Sequence, residues 1–224
     1  MTGRSLIFGD IHGCDIALET ILDHVAVTAD DTMIFLGDAV DRGPDSRRVL
    51  DIIVKLQQVC QVVFVLGNHE EMLLDVLDGG DASRWLRHGG SATLKSYGGM
   101  LAQFPKDHEE LLVNAVPYWQ DHANIGVHAN IEPGVELSQQ QPDWLRWQSL
   151  TGMEFPHPSG RRVICGHSGI PGGLPKVGEG WVCLDTLAYK GGYLTCLHAE
   201  SGELFQSQQS GAYRSGVSLQ DLER

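Results

Sequence analysis

The sequence predicts an α/β fold of the α+β kind. Short apolar runs alternate with helix-period segments through the first third of the chain. Each early apolar run ends in glycine followed by an acidic or amide residue. The second half returns to short apolar runs separated by glycine and proline. Alternating strand and helix signals favour a parallel core with helices packed on it.

Taken in order, residues 5–8 (Ser5-Leu6-Ile7-Phe8) read as a buried strand. Ile16, Ala17, Ile21, Leu22 and Val25 then recur at helical spacing across residues 15–27. Residues 32–36 form a second apolar strand. Asp45 or Ser46 can cap a helix running through Val49, Ile52, Ile53 and Leu56. Residues 62–66 are a third strand, and a further helix begins at residues 70–77. Residues 79–117 are interrupted by Gly79-Gly80, Gly89-Gly90 and Gly98-Gly99 and read as a helical insertion forming one wall of a site. Four later segments (123–127, 162–165, 181–184 and 193–197) read as strands of a second sheet. Residues 169–180 have loop composition. The expected organisation is one catalytic domain over residues 1–206 and a polar, mobile tail over 207–224.

The bulk numbers bound the function. The chain has 224 residues, 42% of them hydrophobic, enough for a sizeable core. Its formal net charge is −13, and its 16 basic residues form no run. General nucleic-acid binding needs a basic face, so it is not expected. No apolar stretch is long enough to span a membrane. Only four apolar residues precede Gly9-Asp10, too few for a signal peptide. The five cysteines show no Cys-x-x-Cys spacing. Reduced thiols and a cytoplasmic location are expected.

Three segments carry the chemistry: Gly9-Asp10-Ile11-His12-Gly13, Gly37-Asp38-Ala39-Val40-Asp41-Arg42-Gly43 and Gly67-Asn68-His69-Glu70. Each follows an apolar strand, about thirty residues after the last. Ligands of parallel sheets gather at the carboxyl ends of strands, so Asp10, Asp38 and Asn68 should share one crevice. Singly, each segment is only a turn, a surface ion pair or a helix cap; all three in order are hard to explain that way. Asp10 and His12 lie two apart, so an extended backbone points both the same way. Asp38 adds a carboxylate able to bridge two ions. Asn68 offers an amide oxygen, while His128 and His167 offer nitrogens. A mixed oxygen and nitrogen set suits Mn, Fe or Zn better than Ca. Two such ions about 3.5–4 Å apart can hold a hydroxide for in-line attack on phosphorus. His69 is the candidate general acid, with Asp41 accepting a hydrogen bond from its ring. Arg42 and Arg146 carry the planar fork of donors that matches phosphate oxygens. Covalent routes lack their signatures. There is no His-Cys-x5-Arg loop and no Gly-x4-Gly-Lys-Ser/Thr loop, and Asp30-Asp31-Thr32 does not match Asp-x-Asp.

With these motifs, and with Val127-His128-Ala129 and Gly166-His167-Ser168, the chain resembles the phosphoprotein phosphatase family of the calcineurin-like metallophosphoesterase superfamily. The compact size resembles its bacterial and phage branch. The resemblance implies a central β-sandwich flanked by α-helices. It implies one divalent ion held by Asp10, His12 and Asp38, and a second held by Asp38, Asn68, His128 and His167. Manganese is the usual metal of the family, with iron and zinc also seen. His69 would be the acid, paired with Asp41, and Arg42, Arg146 and Asn68 would hold phosphate. Asn130 stands where the family often has Gly, and Ser168 where Thr is frequent; neither is an implied ligand.

Three functions are expected in this order. The first is a metal-dependent serine/threonine protein phosphatase, with dual specificity included. The second is a bis(5'-nucleosyl)-tetraphosphate hydrolase, a branch that usually lacks the acid equivalent to Asp41 and reads Asn-His-Asp. The third is an inactive phosphopeptide-binding module, which would have no need of an acid such as His69. The expected partner is a phosphorylated protein or peptide, or a small phosphoester, with no membrane.

Overall fold

The structure is a computed structural model that describes residues 3–223. Three parallel strands open the chain: β1 (Ser5–Phe8), β2 (Thr32–Phe35) and β3 (Gln61–Phe64). Helices α1 (Asp15–Val25), α2 (Ser46–Leu56) and α3 (Asn68–Leu77) follow them in turn. Asp45 caps α2 by accepting a hydrogen bond from the Arg48 amide at 2.9 Å. The expected insertion is helical. It carries α4 (Ser83–Trp85), a kink at Gly89 (φ 111°), α5 (Ser91–Ser96) and α6 (Lys106–Val113).

The second half adds β4 (Trp119–Gln120), β5 (Asn124–Gly126), α7 (Pro142–Trp147), β6 (Arg162–Cys165), β7 (Lys176–Gly178) and β8 (Trp181–Cys183). It ends with β9 (Leu194–His198), β10 (Glu203–Ser207), β11 (Tyr213–Ser218) and α8 (Leu219–Leu222). One sheet runs β11-β10-β9-β1-β2-β3 and the other β4-β5-β6-β8-β7.

Alternation along the strands divides the core. Leu6 and Phe8 face the helices, while Ile7 faces the second sheet. Ile34, Leu36, Ile164, Val182, Leu184 and Leu204 join Ile7 in the layer between the sheets. This is the sandwich that the family resemblance implies.

Three expectations need correction. The strand near residues 193–197 does not join the second sheet. Its counterpart β9 pairs antiparallel with β1, in register Ile7↔Leu197. Residues 169–180 are not all loop, because β7 pairs antiparallel with β8. The polar tail is not mobile coil: β11 pairs with β10, and the Ser218–Asp221 capping box turns the chain so that Leu219 is buried. Polar composition misled here because an edge strand needs only one apolar face, and pairing supplies the rest.

All five cysteines are free, and four are buried. Among the described residues, no helix is long and apolar enough to cross a membrane.

Candidate metal centre

The loops after β1, β2 and β3 are strapped to one another before any ligand is considered. The Ile11 and His12 amides both donate to the Asp38 carbonyl, at 3.1 and 2.8 Å. Glu70, fully buried, accepts from the Asp38, Ala39 and Val40 amides at 2.7, 2.8 and 3.2 Å. The His69 amide donates to Asp38 Oδ1 at 3.1 Å, so the Asp38 carboxylate sits at the start of α3. From the second sheet, the His167 amide donates to Asp10 Oδ1 at 3.0 Å.

The backbone there is bent in a costly way. Non-glycine residues rarely adopt positive φ, yet His12, Asp38, Asp41, Arg42 and His167 all do, at 46°, 50°, 72°, 68° and 60°. Five strained positions in one crevice mark a place where side-chain direction outweighs backbone comfort.

The structure brings these side chains together, in groups that differ from the expected sets by taking in His69 and leaving out Asp10. Ligand atoms of His12, Asp38 and His69 lie within 4.8 Å of one another, and so do those of Asp38, His128 and His167. Asp38 is common to both groups. Asp10 Oδ2 lies 3.8 Å from His12 Nε2. The ring protons are assigned by carbonyls, which can only accept. His12 Nδ1 donates to Val40 O and His128 Nδ1 to Leu36 O, each at 2.8 Å. Both Nε2 lone pairs therefore face the crevice.

These residues fit a pair of divalent cations. The Asn68 Oδ1 atom faces His128 Nε2 at 2.9 Å and His167 Nδ1 at 3.3 Å, which brings acceptors together. Such lone pairs repel unless a cation sits among them or the amide nitrogen turns toward them. The Arg42 guanidinium already takes the His12 Nε2 lone pair at 2.6 Å, one positive group where another can bind. Burial pushes the Asp10 and Asp38 carboxyls well above the usual range, with Asp185 adding to the shift at Asp10 and Glu70 at Asp38. Burial holds His12 and His128 well below the usual imidazole value, and His167 down to about 4. Neutral imidazoles and clustered carboxyls are what a divalent ion needs.

His69 lies within the same cluster but is held differently. Its Nδ1 meets Asp41 Oδ2 at 2.6 Å, while Nε2 is buried without a partner, 3.9 Å from Asp38 Oδ2. Burial lowers its pKa, and Asp41 opposes that shift. Asp41 is itself held by the insertion: Trp85 Nε1 and Thr93 Oγ1 donate to its Oδ1 at 2.9 and 2.7 Å. The insertion also accepts the Arg42 amide at Gly89 O, so it walls the site beside Asp41 and Arg42. Arg146 does not leave its fork free. Its Nη2 pairs with Glu71 Oε1 at 2.6 Å, and its Nε is buried without a partner.

Sequence reasoning missed several participants. Glu70 binds the Asp38 loop, and its place directly after His69 was the available signal. Buried Asp185 lies against Asp10. Tyr189 stacks on the Arg42 guanidinium, 4.9 Å from ring centre to carbon. Trp85, Thr93 and Tyr189 reach the site from distant segments and leave no local pattern.

Comparison with known proteins places this geometry. The symmetrical bis(5'-nucleosyl)-tetraphosphatase of Burkholderia pseudomallei strain 668 is 35% identical over 102 residues, covering 37% of this chain. The match spans 36% of that relative's length, about a third. Among solved structures, a chain provisionally described as a diadenosine tetraphosphatase superposes with a TM-score of 0.69. It is 24% identical, with 96% of this chain and 94% of that one covered. A cold-active protein tyrosine phosphatase gives a TM-score of 0.68 at 16% identity, covering 96% and 79%. At such identities the two structures speak for the fold alone. The sequence profile of the calcineurin-like phosphoesterases matches residues 3–207, and the chain belongs to that family.

Proposed function

We propose that this chain hydrolyses bis(5'-nucleosyl) tetraphosphates at a two-cation centre. The gathering of His12, His128 and His167 around the Asp38 carboxylate, with Asp10 Oδ2 3.8 Å from His12 Nε2, carries the hydrolytic reading. The likeness to symmetrical bis(5'-nucleosyl)-tetraphosphatases supports the substrate, and moves it ahead of the phosphoprotein that the motifs alone favour. Asp10, His12 and Asp38 would hold one cation, and Asp38, Asn68, His128 and His167 the other, with manganese first and iron or zinc next. Bound there, the cations supply an acidified water as nucleophile and positive charge around phosphorus.

The chain's own side chains do the rest. Arg42 turns its fork from His12 to phosphate oxygens, steadied by Tyr189 stacking. The Asn68 amide nitrogen donates to the same group. Arg146 would act as a second clamp only by exchanging its Glu71 partner for a phosphate oxygen. Asp41 orients the His69 ring and favours its imidazolium form. His69 Nε2 then gives its proton to the departing oxygen.

One observation favours a second reading, a serine/threonine protein phosphatase. A terminal phosphate is a good leaving group and needs little protonation, whereas a serine alkoxide needs a proton. The 2.6 Å Asp41–His69 pair is built to deliver one.

The test is kcat/KM of the Mn²⁺-loaded protein on diadenosine tetraphosphate, phosphoserine and phosphotyrosine peptides, and p-nitrophenyl phosphate. Diadenosine tetraphosphate should exceed every phosphopeptide by at least about tenfold, some 1.4 kcal/mol of transition-state preference. The reverse order hands the function to the second reading. No turnover of any substrate by fully metallated protein removes both.

A further inference from the structure

We propose that a cavity beside the metal centre is a nucleobase subsite, one that takes the adenine or a similar base of the substrate. This deepens the tetraphosphate reading and rests on it. The cavity encloses about 230 Å³ and is lined among others by Asn130, Glu132, Trp144, Met153, Phe155 and Pro156.

Its walls are fastened to the two histidine loops. Asn130 lies two residues after His128, and its amide donates to the Trp144 carbonyl at 3.2 Å. The Ala129 amide donates to the Leu145 carbonyl at 2.8 Å. On the other side, the Leu150 amide donates to Ser168 Oγ at 2.8 Å, one residue past His167. The cavity walls thus continue directly from the loops that carry His128 and His167.

The lining has the chemistry of a base site. Trp144 and Phe155 offer aromatic faces, on which any nucleobase can stack. Met153 and Phe155 are 75% and 72% exposed, large apolar groups left in water at the cavity. A flat base can stack on or pack against such groups. Asn130 is buried, and its Oδ1 is used by the Ile131 amide at 2.8 Å, while its amide nitrogen bonds to no protein group among the described residues. The Glu132 amide is taken by Gln140, but its carboxylate has no partner among the described residues. One free donor beside one free acceptor is the pattern that reads an adenine edge, a ring nitrogen next to an amino group. Asn130 also stands where the family resemblance has Gly, so this chain adds a polar side chain there. The lining residues include no lysine or arginine, so the cavity suits the base rather than the phosphates.

The test uses adenosine, which has no phosphate to engage the metals. It is titrated into Mn²⁺-loaded protein by calorimetry, beside N-acetylphenylalanine amide as the peptide-like alternative. Adenosine should bind, and Phe155→Ala should weaken it at least about fivefold, the loss of one stacking partner. Asn130→Gly should weaken it as well. Both variants should keep the parent melting temperature within a few degrees, and KM for diadenosine tetraphosphate should rise more than kcat falls. No adenosine binding, equal binding by Phe155→Ala, or preference for the phenylalanine amide overturns the subsite. Diadenosine tetraphosphate turned over without adenosine binding sinks the subsite and leaves the tetraphosphate reading standing. Adenosine bound through Phe155 without tetraphosphate turnover does the opposite.

Discussion

Residues 5–77 and residues 119–207 both send side chains to one crevice, but they deliver them differently. In the first region, three parallel strands end side by side, and their loops bond directly to one another through the Asp38 carbonyl and the Glu70 carboxylate. Asp10, His12, Asp38, Asp41, Arg42, Asn68 and His69 all come from those loops. In the second region, β5 and β6 are parallel neighbours that present His128 and His167, yet a long excursion separates them. That excursion holds α7 and the walls of the apolar cavity. The difference teaches a division of labour. On the proposed reading, the short, cross-strapped region would fix the reacting groups, and the longer excursion between β5 and β6 would shape what they act on.

The largest effect should come from the residue that the two metal groups share. Asp38→Asn should lower kcat/KM by about 10³ or more and strip both ions, as counted by elemental analysis, because one ligand serves both. His128→Ala, from the second region, should strip one ion and leave part of the activity. Equal metal loss in both variants would erase the proposed asymmetry.

Next comes the acid. His69→Asn should cut turnover of phosphoserine peptides about 10²–10⁴-fold and that of p-nitrophenyl phosphate under about tenfold. Equal losses on good and poor leaving groups would remove the proton-donating role and leave His69 as a structural neighbour of Asp41.

The smallest effect tests the strapping of the first region away from the site. Asp31 accepts from Arg4 Nε at 2.9 Å and from the Thr28 amide at 2.8 Å, and it is buried. The Arg4 side chain holds its carboxyl well below the ordinary value of 3.8. The folded pKa is depressed, so the stabilisation is fully present above about pH 4 and fades as pH falls through the folded value. Asp31→Asn should therefore lower the melting temperature at pH 7 by about 2–8 °C, the equivalent of ~1–2 kcal/mol. Calorimetry at stepwise lower pH should show that gap narrowing. A gap that widens in acid would mean the ion pair is not what holds this corner.

Legibility follows the same division. The expected strand at residues 5–8 is observed unchanged, and the next two strands and three helices fall within a few residues of their predicted bounds. Strand and helix periodicity is local, and each glycine-acid turn lies directly in the chain. The second region and the segment after it were harder. β7 is three residues long, β9 joins a different sheet from its predicted one, and β11 is polar. Short strands carry too little pattern to reveal which edge they pair with.

The site shows the contrast residue by residue. Asp10, His12, Asp38, Asn68, His128 and His167 could be named because ligand chemistry selects their side-chain types. The hold of Trp85 and Thr93 on Asp41, the contact of Asp185 with Asp10 and the pairing of Arg146 with Glu71 could not. By itself, then, the sequence determined the order of elements, the three strand-end motifs and the ligand candidates. Only the tertiary structure decided which sheet takes β9, which groups hold each ligand in place and where the base-sized cavity lies. The reason is range: backbone preference acts over a few residues, while those outcomes depend on packing between segments far apart in the chain.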